Sequence, residues 1–445
     1  MFIIMRVRYD KKVLLGIFLF NVFLVWNLIL YPVNLDEVWN YGFSHNIYSL
    51  LIPYKDFNMV IAPFYPFLMS LGFHLFGSSM LVFHIEQALI SVVFCFILFA
   101  LLKEKAWFII PLLFVPINVS FPSYNIFLFY LLVLLVYLEK NERSDYIIGF
   151  ILGLVVLTKQ SVGVCLLLPS LYYIKNFDKI KKRIIGFIIP ISIFVLYLVF
   201  TGSLYSFLDL CLFGLLDFAS GNGGKFSIYL ILFILMIGIT IYFIYNDKKN
   251  IVNYYVLFFY SIMIPLFDTY HFAVAFLAFL LMILLKIRKN IMKPELFGIS
   301  IIIFAVILTC SFRLRGRIVY PNNIRHFEYR FIDYESLVFT NKVNEFINKN
   351  KDREFVFLNS NGYYFRIIND MKISYIDLIN TGNFGYDGSN KLLREIKKKK
   401  NAIFLVDRSE LSLVKQTDKQ ALNYVLDNGK RIGKIDFYEI YVLNS

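Results

Sequence analysis

Six short basic clusters divide the first 312 residues into apolar stretches. They are "RVRYDKK" at 6–12, "KEK" at 103–105, "EKNER" at 139–143, "KNFDKIKKR" at 175–183, "NDKK" at 246–249 and "KIRKNIMK" at 286–293, and they hold nineteen Lys and Arg. The intervening loops hold three cations, Lys55, Lys159 and Lys225. Short cytoplasmic loops collect Lys and Arg, so this asymmetry orients the chain with the clusters inside. The residues are 59% hydrophobic and 17% charged, too little charge for an ordinary soluble domain. The net charge of +14 resides largely in such clusters, and no basic patch with interleaved aromatics points to nucleic acid. Cys95, Cys165, Cys211 and Cys310 lie in or beside apolar runs without metal-ligand spacing, as small buried hydrophobes do.

The apolar runs predict eleven spans: 13–31, 85–102, 107–119, 124–138, 146–158, 162–174, 184–200, 227–245, 251–266, 270–285 and 296–312. The first resembles a signal peptide, but no small-residue cleavage site follows it, so it reads as an uncleaved span. The segment 62–83, "APFYPFLMSLGFHLFGSSMLVF", is apolar enough to cross. Crossing would move every later basic cluster to the other side. It reads instead as a helix in the outer interface, which extends the first outer loop over 32–84. An odd number of crossings from a cytoplasmic N-terminus places the C-terminus outside.

From Arg313 the pattern changes. "REFVFLN", "KISYIDL", "NAIFLVD" and "DFYEIYVL" read as strands, with helical periodicity in "YESLVFTNKVNEFINKN", "NKLLREIKKKK" and "DKQALNYVLDN". The fold class is therefore a polytopic α-helical membrane protein, residues 1–312, with a small C-terminal extracytoplasmic α/β domain, 313–445. That domain carries no glycine-rich phosphate loop.

In this topology ionisable residues gather at the outer ends of spans: Asp36, Glu37, Lys55, Asp56, His84, Glu86, Lys159, Asp209, Asp217, Lys225, Asp268 and His271. The acidic pair opens a segment with helical periodicity. Leu35, Val38, Trp39, Gly42, Phe43, Asn46, Ile47 and Leu50 share one face, and Asp36, Asn40 and Ser44 another. This predicts an amphipathic helix on the membrane surface, with Trp39 and Tyr41 at headgroup level. "PYKDF" returns Asp56 to the same side, beside Lys55. "LTKQSVG" sets Lys159 and Gln160 between two apolar halves, where the ammonium needs an anionic partner or must snorkel. Other roles remain open: a helix-start carboxylate for Asp36 or Glu37, an interfacial ion pair for Lys55 and Asp56, and satisfied interfacial histidines at His74 and His84. Asp36, Glu37 and Asp56 are hard oxygen ligands, but their spacing does not demand a metal. The 201–226 loop, glycine-rich at its end, reads as a gate or a plain connection.

A first span, an outer loop opening with Asp-Glu, then "IPYKDFNMVIAPFYPFLMSLGFHLFG" resembles the membrane glycosyltransferases of the GT-C superfamily. The resemblance is to the bacterial branch akin to protein O-mannosyltransferases and the aminoarabinose transferase of lipid A. "GFILGLVVLTKQSVG" looks like that family's Gly-rich span ending in Thr-Lys. The resemblance implies a GT-C-like fold with interfacial juxtamembrane helices. It also implies transfer, with inversion, from a polyprenyl-phosphate-linked sugar to an envelope glycan, lipid or protein. By position Asp36 would be the general base and Glu37 the supporting acid. Lys159 would hold the lipid phosphate. Lys55, Asp56, Gln160, His84, Glu86, Tyr270 and His271 complete the candidate substrate contacts. No cofactor is required, although some relatives use a divalent cation, for which Asp36 and Asp56 are candidate ligands. The sequence departs from the family at Ile61-Ala62-Pro63 and at His84-Ile85-Glu86-Gln87, where relatives carry cationic or polar groups. Two other classes stay open. A lipid-linked glycan flippase or exporter would need a polar path through the bilayer. A non-catalytic envelope assembly protein would act through the outer domain.

Overall fold

The computed structural model describes residues 11–30, 35–113, 123–215, 227–287, 298, 303, 317–359, 361–373, 376, 383–407 and 419–443. Among the described residues the N-terminal part holds eleven α-helices of eight residues or more: α1 Lys11–Leu30, α2 Leu35–Tyr48, α3 Phe64–Phe76, α4 Met80–Leu102, α5 Tyr124–Lys140, α6 Asp145–Val156, α7 Gln160–Leu167, α8 Phe177–Thr201, α9 Ile228–Asn246, α10 Ile251–Phe259 and α11 Thr269–Lys286, with one short helical turn at Leu204–Leu208. Short 3₁₀ and π turns link several of them.

Among the described residues five helical stretches are long and apolar enough to cross a bilayer alone: Lys11–Leu30, Met80–Phe108, Phe177–Thr201, Ile228–Asn246 and Thr269–Lys286. Two of the shorter expected spans end early as α-helix. After Leu167 and after Phe259 the chain tightens into 3₁₀ turns, Leu168–Tyr173, which contains Pro169, and Tyr260–Met263. The described part of 107–119 is not an α-helix. It is made of the 3₁₀ turns Lys103–Phe108, which opens on Lys103 at φ 54° and buries Ala106 and Trp107, and Pro111–Leu113. The expected span 296–312 lies outside the described residues except for Gly298 and Ile303. α3 has 13 residues, about 20 Å of helix, which is short of a ~30 Å hydrocarbon core.

The tightest helix pair is α6 on α8. A Cβ at Gly149 would fall 2.0 Å from the Arg183 carbonyl oxygen, and one at Gly186 2.0 Å from that of Tyr146. Small residues let two backbones approach where lipid gives no hydrophobic drive. At the "EKNER" and "KNFDKIKKR" end this pair is locked by charge. Arg183 Nη1 meets Glu139 Oε1 at 2.8 Å and Arg183 Nε donates to Asp145 at 2.8 Å. Tyr255 donates to Glu139 at 2.8 Å. Arg183 and Glu139 are 4% and 3% exposed, so removing one strands the other. Arg183→Ala is expected to cost about 3–5 kcal/mol. Thermal unfolding in detergent measures this, and wild-type stability in the variant would contradict it.

The C-terminal part holds a ribbon, β1 Ile318–Val319 with β2 Ile332–Asp333, and a four-stranded sheet. The sheet strands are β3 Phe355–Leu358, β4 Ile403–Asp407, β5 Gly429–Ile435 and β6 Tyr438–Leu443, in the order β3-β4-β6-β5. β3 and β4 are parallel and the other pairs antiparallel. The helices are α12 Tyr334–Lys349, α13 Gly362–Ile368, α14 Gly388–Lys398 and α15 Lys419–Asn428. β4 is central and β3 lies at an edge among the described residues, yet both are continuous apolar runs buried throughout. β5, "GKRIGKI", escapes sequence reading because its Gly, Lys and Arg are edge-strand residues rather than strand formers. Most of "KISYIDL" lies outside the described residues, and its described residues, Lys372, Ile373 and Ile376, are not in a strand.

This part packs directly on the bundle. Phe331 N–H donates to Ile29, Met80 N–H to His326, and Asn58 to the Asn383 carbonyl at 2.8 Å. Tyr363 sits where a Cβ on Gly42 would be, 2.0 Å away, and its hydroxyl accepts from Asn46 at 2.5 Å. The two parts share one hydrophobic core.

Candidate active-site cavity

α2 is not a surface helix. It lies between α3 and the C-terminal part, and Val38, Asn40, Tyr41 and Ser44 are all buried. Tyr41 donates its hydroxyl to the Ser78 carbonyl instead of standing at headgroup level. The expected amphipathic pattern is real, but its apolar face is covered by protein rather than lipid.

The other face of α2 borders a cavity of about 370 Å³. Asp36, Trp39, Asn40 and Phe43 come from α2, Tyr124 and Asn125 from the start of α5, Lys159 and Gln160 from the α6–α7 junction, and Tyr270 and His271 from the start of α11. Val60, Leu215, Ile264, Pro265 and Leu266 add an apolar wall whose Ile264 is exposed, and Asn383 of the C-terminal part closes another side. These groups share one end of the bundle. Asn125 and Glu139 are fourteen positions apart on α5, about 21 Å, which separates the cavity from the Arg183 cluster.

Asp36 and Glu37 are neighbours with opposite surroundings. The Asp36 carboxylate is open to the cavity, and no described side chain hydrogen-bonds to it. Enclosure by protein raises its pKa, opposed by His271 and reinforced by Asp268. Glu37 points away from the cavity and is 1% exposed. Arg330 Nη1 lies 2.7 Å and His84 Nε2 2.8 Å from its Oε1. Burial alone would raise Glu37, but Arg330 and His84 hold it below the ordinary range. Glu37 thus anchors α2 to α4 and to the C-terminal segment, and His84 is spent in that anchor.

Lys159 makes no ion pair with a described residue. Its ammonium donates to Asn125 Oδ1 at 3.1 Å and lies 5.6 Å from the centre of the Tyr124 ring. Burial lowers its pKa to about 8, opposed by Asp268. Gln160 donates to the carbonyls of Cys211 at 2.9 Å and Val60 at 3.2 Å, pinning two loops to the rim. Tyr270 and Ser123 hydroxyls meet at 2.5 Å.

The remaining candidates lie elsewhere. Lys55 and Asp56 are exposed and do not pair. Lys55 donates to the Thr201 carbonyl at 3.1 Å, and Asp56 accepts the Ile52 N–H at 2.7 Å. Glu86 lies against Gly72 of α3. Asp56 therefore does not join Asp36 in the cavity, and among the described residues no group of three His, Cys, Asp or Glu could hold a metal ion. Asp209, read as a loop residue, is 8% exposed and accepts from Lys391 at 2.5 Å and from Tyr386 N–H at 3.1 Å. Asp217 and Lys225 lie outside the described residues. Sequence reading missed Asn125 and Arg330. Asn125 had a usable signal, an amide at the end of a span away from the basic clusters. Arg330 had none, because its partner Glu37 lies in the segment after the first span.

The same architecture occurs in a crystallised membrane protein. The structure of ArnT from Cupriavidus metallidurans bound to undecaprenyl phosphate superimposes with a TM-score of 0.57 at 10% identity, covering 98% of each chain. Its apo state gives 0.51 at 11% identity over 97% of each. The fold is that of ArnT. It extends over the helical part and the C-terminal part together, so the resemblance to GT-C glycosyltransferases holds at the level of architecture. No family model and no curated protein sequence matches the chain.

Proposed function

We propose that this chain is a membrane glycosyltransferase that moves a sugar from a polyprenyl-phosphate donor to an envelope acceptor at the outer face. The observation that carries this reading is one cavity holding a carboxylate, Asp36, and an ammonium, Lys159, neither of which has an ion-pair partner among the described residues. The ArnT fold, crystallised elsewhere with undecaprenyl phosphate, supports it. The apolar wall at Ile264–Leu266 suits a lipid tail whose phosphate enters the polar part.

Asp36 takes the proton of the acceptor hydroxyl or amine as it attacks the anomeric carbon. A raised pKa brings that carboxylate closer to the working pH and makes it a stronger base. Lys159 offsets charge on the departing phosphate. The carboxylate and the phosphate then lie on opposite sides of the sugar, and the configuration inverts. Between Asn125 and Glu139, α5 carries only apolar and tyrosine side chains, which favours a site at one end over a conduit. The reading places the C-terminal part outside, since it packs on the cavity end.

The test is reconstitution of the full chain in lipid with a panel of polyprenyl-phosphate sugars and envelope fractions. Donor-dependent labelling of an acceptor with release of polyprenyl phosphate is expected. Translocation of intact donor without sugar transfer would overturn the reading.

A further inference from the structure

The leaving group of that reaction is a phosphate monoester, which departs with a charge near −2. Lys159 offsets one unit. Among the described residues lining the cavity it is the single Lys or Arg. One other group there can become a cation, His271.

His271 is held as a polar contact rather than as core filling. Asp268 caps α11 by accepting the His271 backbone N–H at 2.8 Å. Both carboxylate oxygens of Asp268 also lie 2.9 Å from His271 Nδ1. A carboxylate at Nδ1 makes that nitrogen the donor and leaves Nε2 for another partner. The Tyr270 ring packs edge-on at 5.5 Å. The ring lines the same cavity as Asp36 and Lys159. The charges that face it are Asp268 from its own helix start, Asp36 from α2 and Lys159 from the α6–α7 junction. Burial of the ring and the Lys159 ammonium oppose the imidazolium, and the two carboxylates favour it; a phosphate dianion seated against Nε2 favours it further.

We propose that His271, oriented by Asp268, is a second phosphate-binding cation that donates from Nε2 to the phosphate of the lipid-linked donor. This rests on the donor class inferred above. In the transfer step the acceptor heteroatom bonds to the anomeric carbon and gives its proton to Asp36. The bond from that carbon to the phosphate oxygen breaks, and its electron pair stays on the oxygen. The Nε2 proton remains on His271, which binds the released polyprenyl phosphate without transferring a proton. Asp268 acts through His271 as a positioning residue.

The experiment measures affinity of the purified full chain for undecaprenyl phosphate between pH 6 and pH 9, for wild type, His271→Gln and Asp268→Asn. The ratio of wild-type to His271→Gln affinity isolates the imidazole, because the second ionisation of the phosphate, near 6, is common to both. At low pH the ratio is expected to be roughly ten- to a hundredfold, the worth of a hydrogen bond to a charged group. It should fall toward one as the imidazole loses its proton. Asp268→Asn should move that fall to lower pH, which a purely structural role would not do. A ratio that stays flat with pH sinks this inference alone. A wild type that does not bind undecaprenyl phosphate sinks the donor reading and this inference with it.

Discussion

Asp36→Asn is expected to reduce sugar transfer roughly 10²- to 10⁴-fold, the usual worth of a positioned general base. The fold should survive. No described side chain hydrogen-bonds to the Asp36 carboxylate, and asparagine has nearly its shape. The sign of its linkage points the same way. Burial raises the pKa of Asp36 in the folded chain. A raised acid favours the folded state fully below its unfolded pKa, and that contribution is lost as pH rises through the folded pKa. At neutral pH the charged form costs stability, and Asn removes that cost. The neighbouring change gives the opposite pattern. Glu37→Gln breaks a buried contact to Arg330 and His84 and is expected to cost about 3–5 kcal/mol of stability. Transfer assays and thermal unfolding on the two variants separate base from anchor. Transfer at the wild-type rate in a folded Asp36→Asn chain would remove Asp36 from the chemistry.

Lys159→Gln is expected to lower transfer roughly 10²- to 10³-fold, as loss of one preorganised group at a developing charge does. It should weaken donor binding as well, whereas Asp36→Asn should leave donor affinity unchanged or improved. Lys159 also sets an alkaline limit. Burial puts its pKa at about 8, so in the free enzyme the ammonium, and activity with it, fades as pH rises through that value. An anionic donor shifts the limb upward. Lys159→Arg keeps its charge at every accessible pH and should flatten the limb even where its different shape lowers the rate. An alkaline limb unchanged in Lys159→Arg would show that another group titrates there.

Much of this site could be located before any coordinates. The basic clusters placed Asp36, Lys159, Asp268 and His271 at one end of the apolar runs, and the folded chain gathers them around one cavity. The central strands and the helices of the C-terminal part were legible from their periodicity. The same reasoning set Lys55, Asp56, His84 and Glu86 beside Asp36, since all lie at that end of the sequence pattern. They part company because end-of-span position says nothing about which way a side chain turns.

Local composition was enough for the membrane class and for setting Asp36, Lys159 and His271 at the end of the bundle away from the Arg183 cluster. Run length and charge asymmetry act against the bilayer itself and need no partner within the protein. The division of labour between Asp36 and Glu37 needed the folded chain. Consecutive residues on a helix point about 100° apart, so one meets the cavity and the other meets Arg330. The same holds for α2 as a whole. Its apolar stripe could face lipid or protein equally well by composition, and the close approach of Tyr363 at Gly42 buries it in protein.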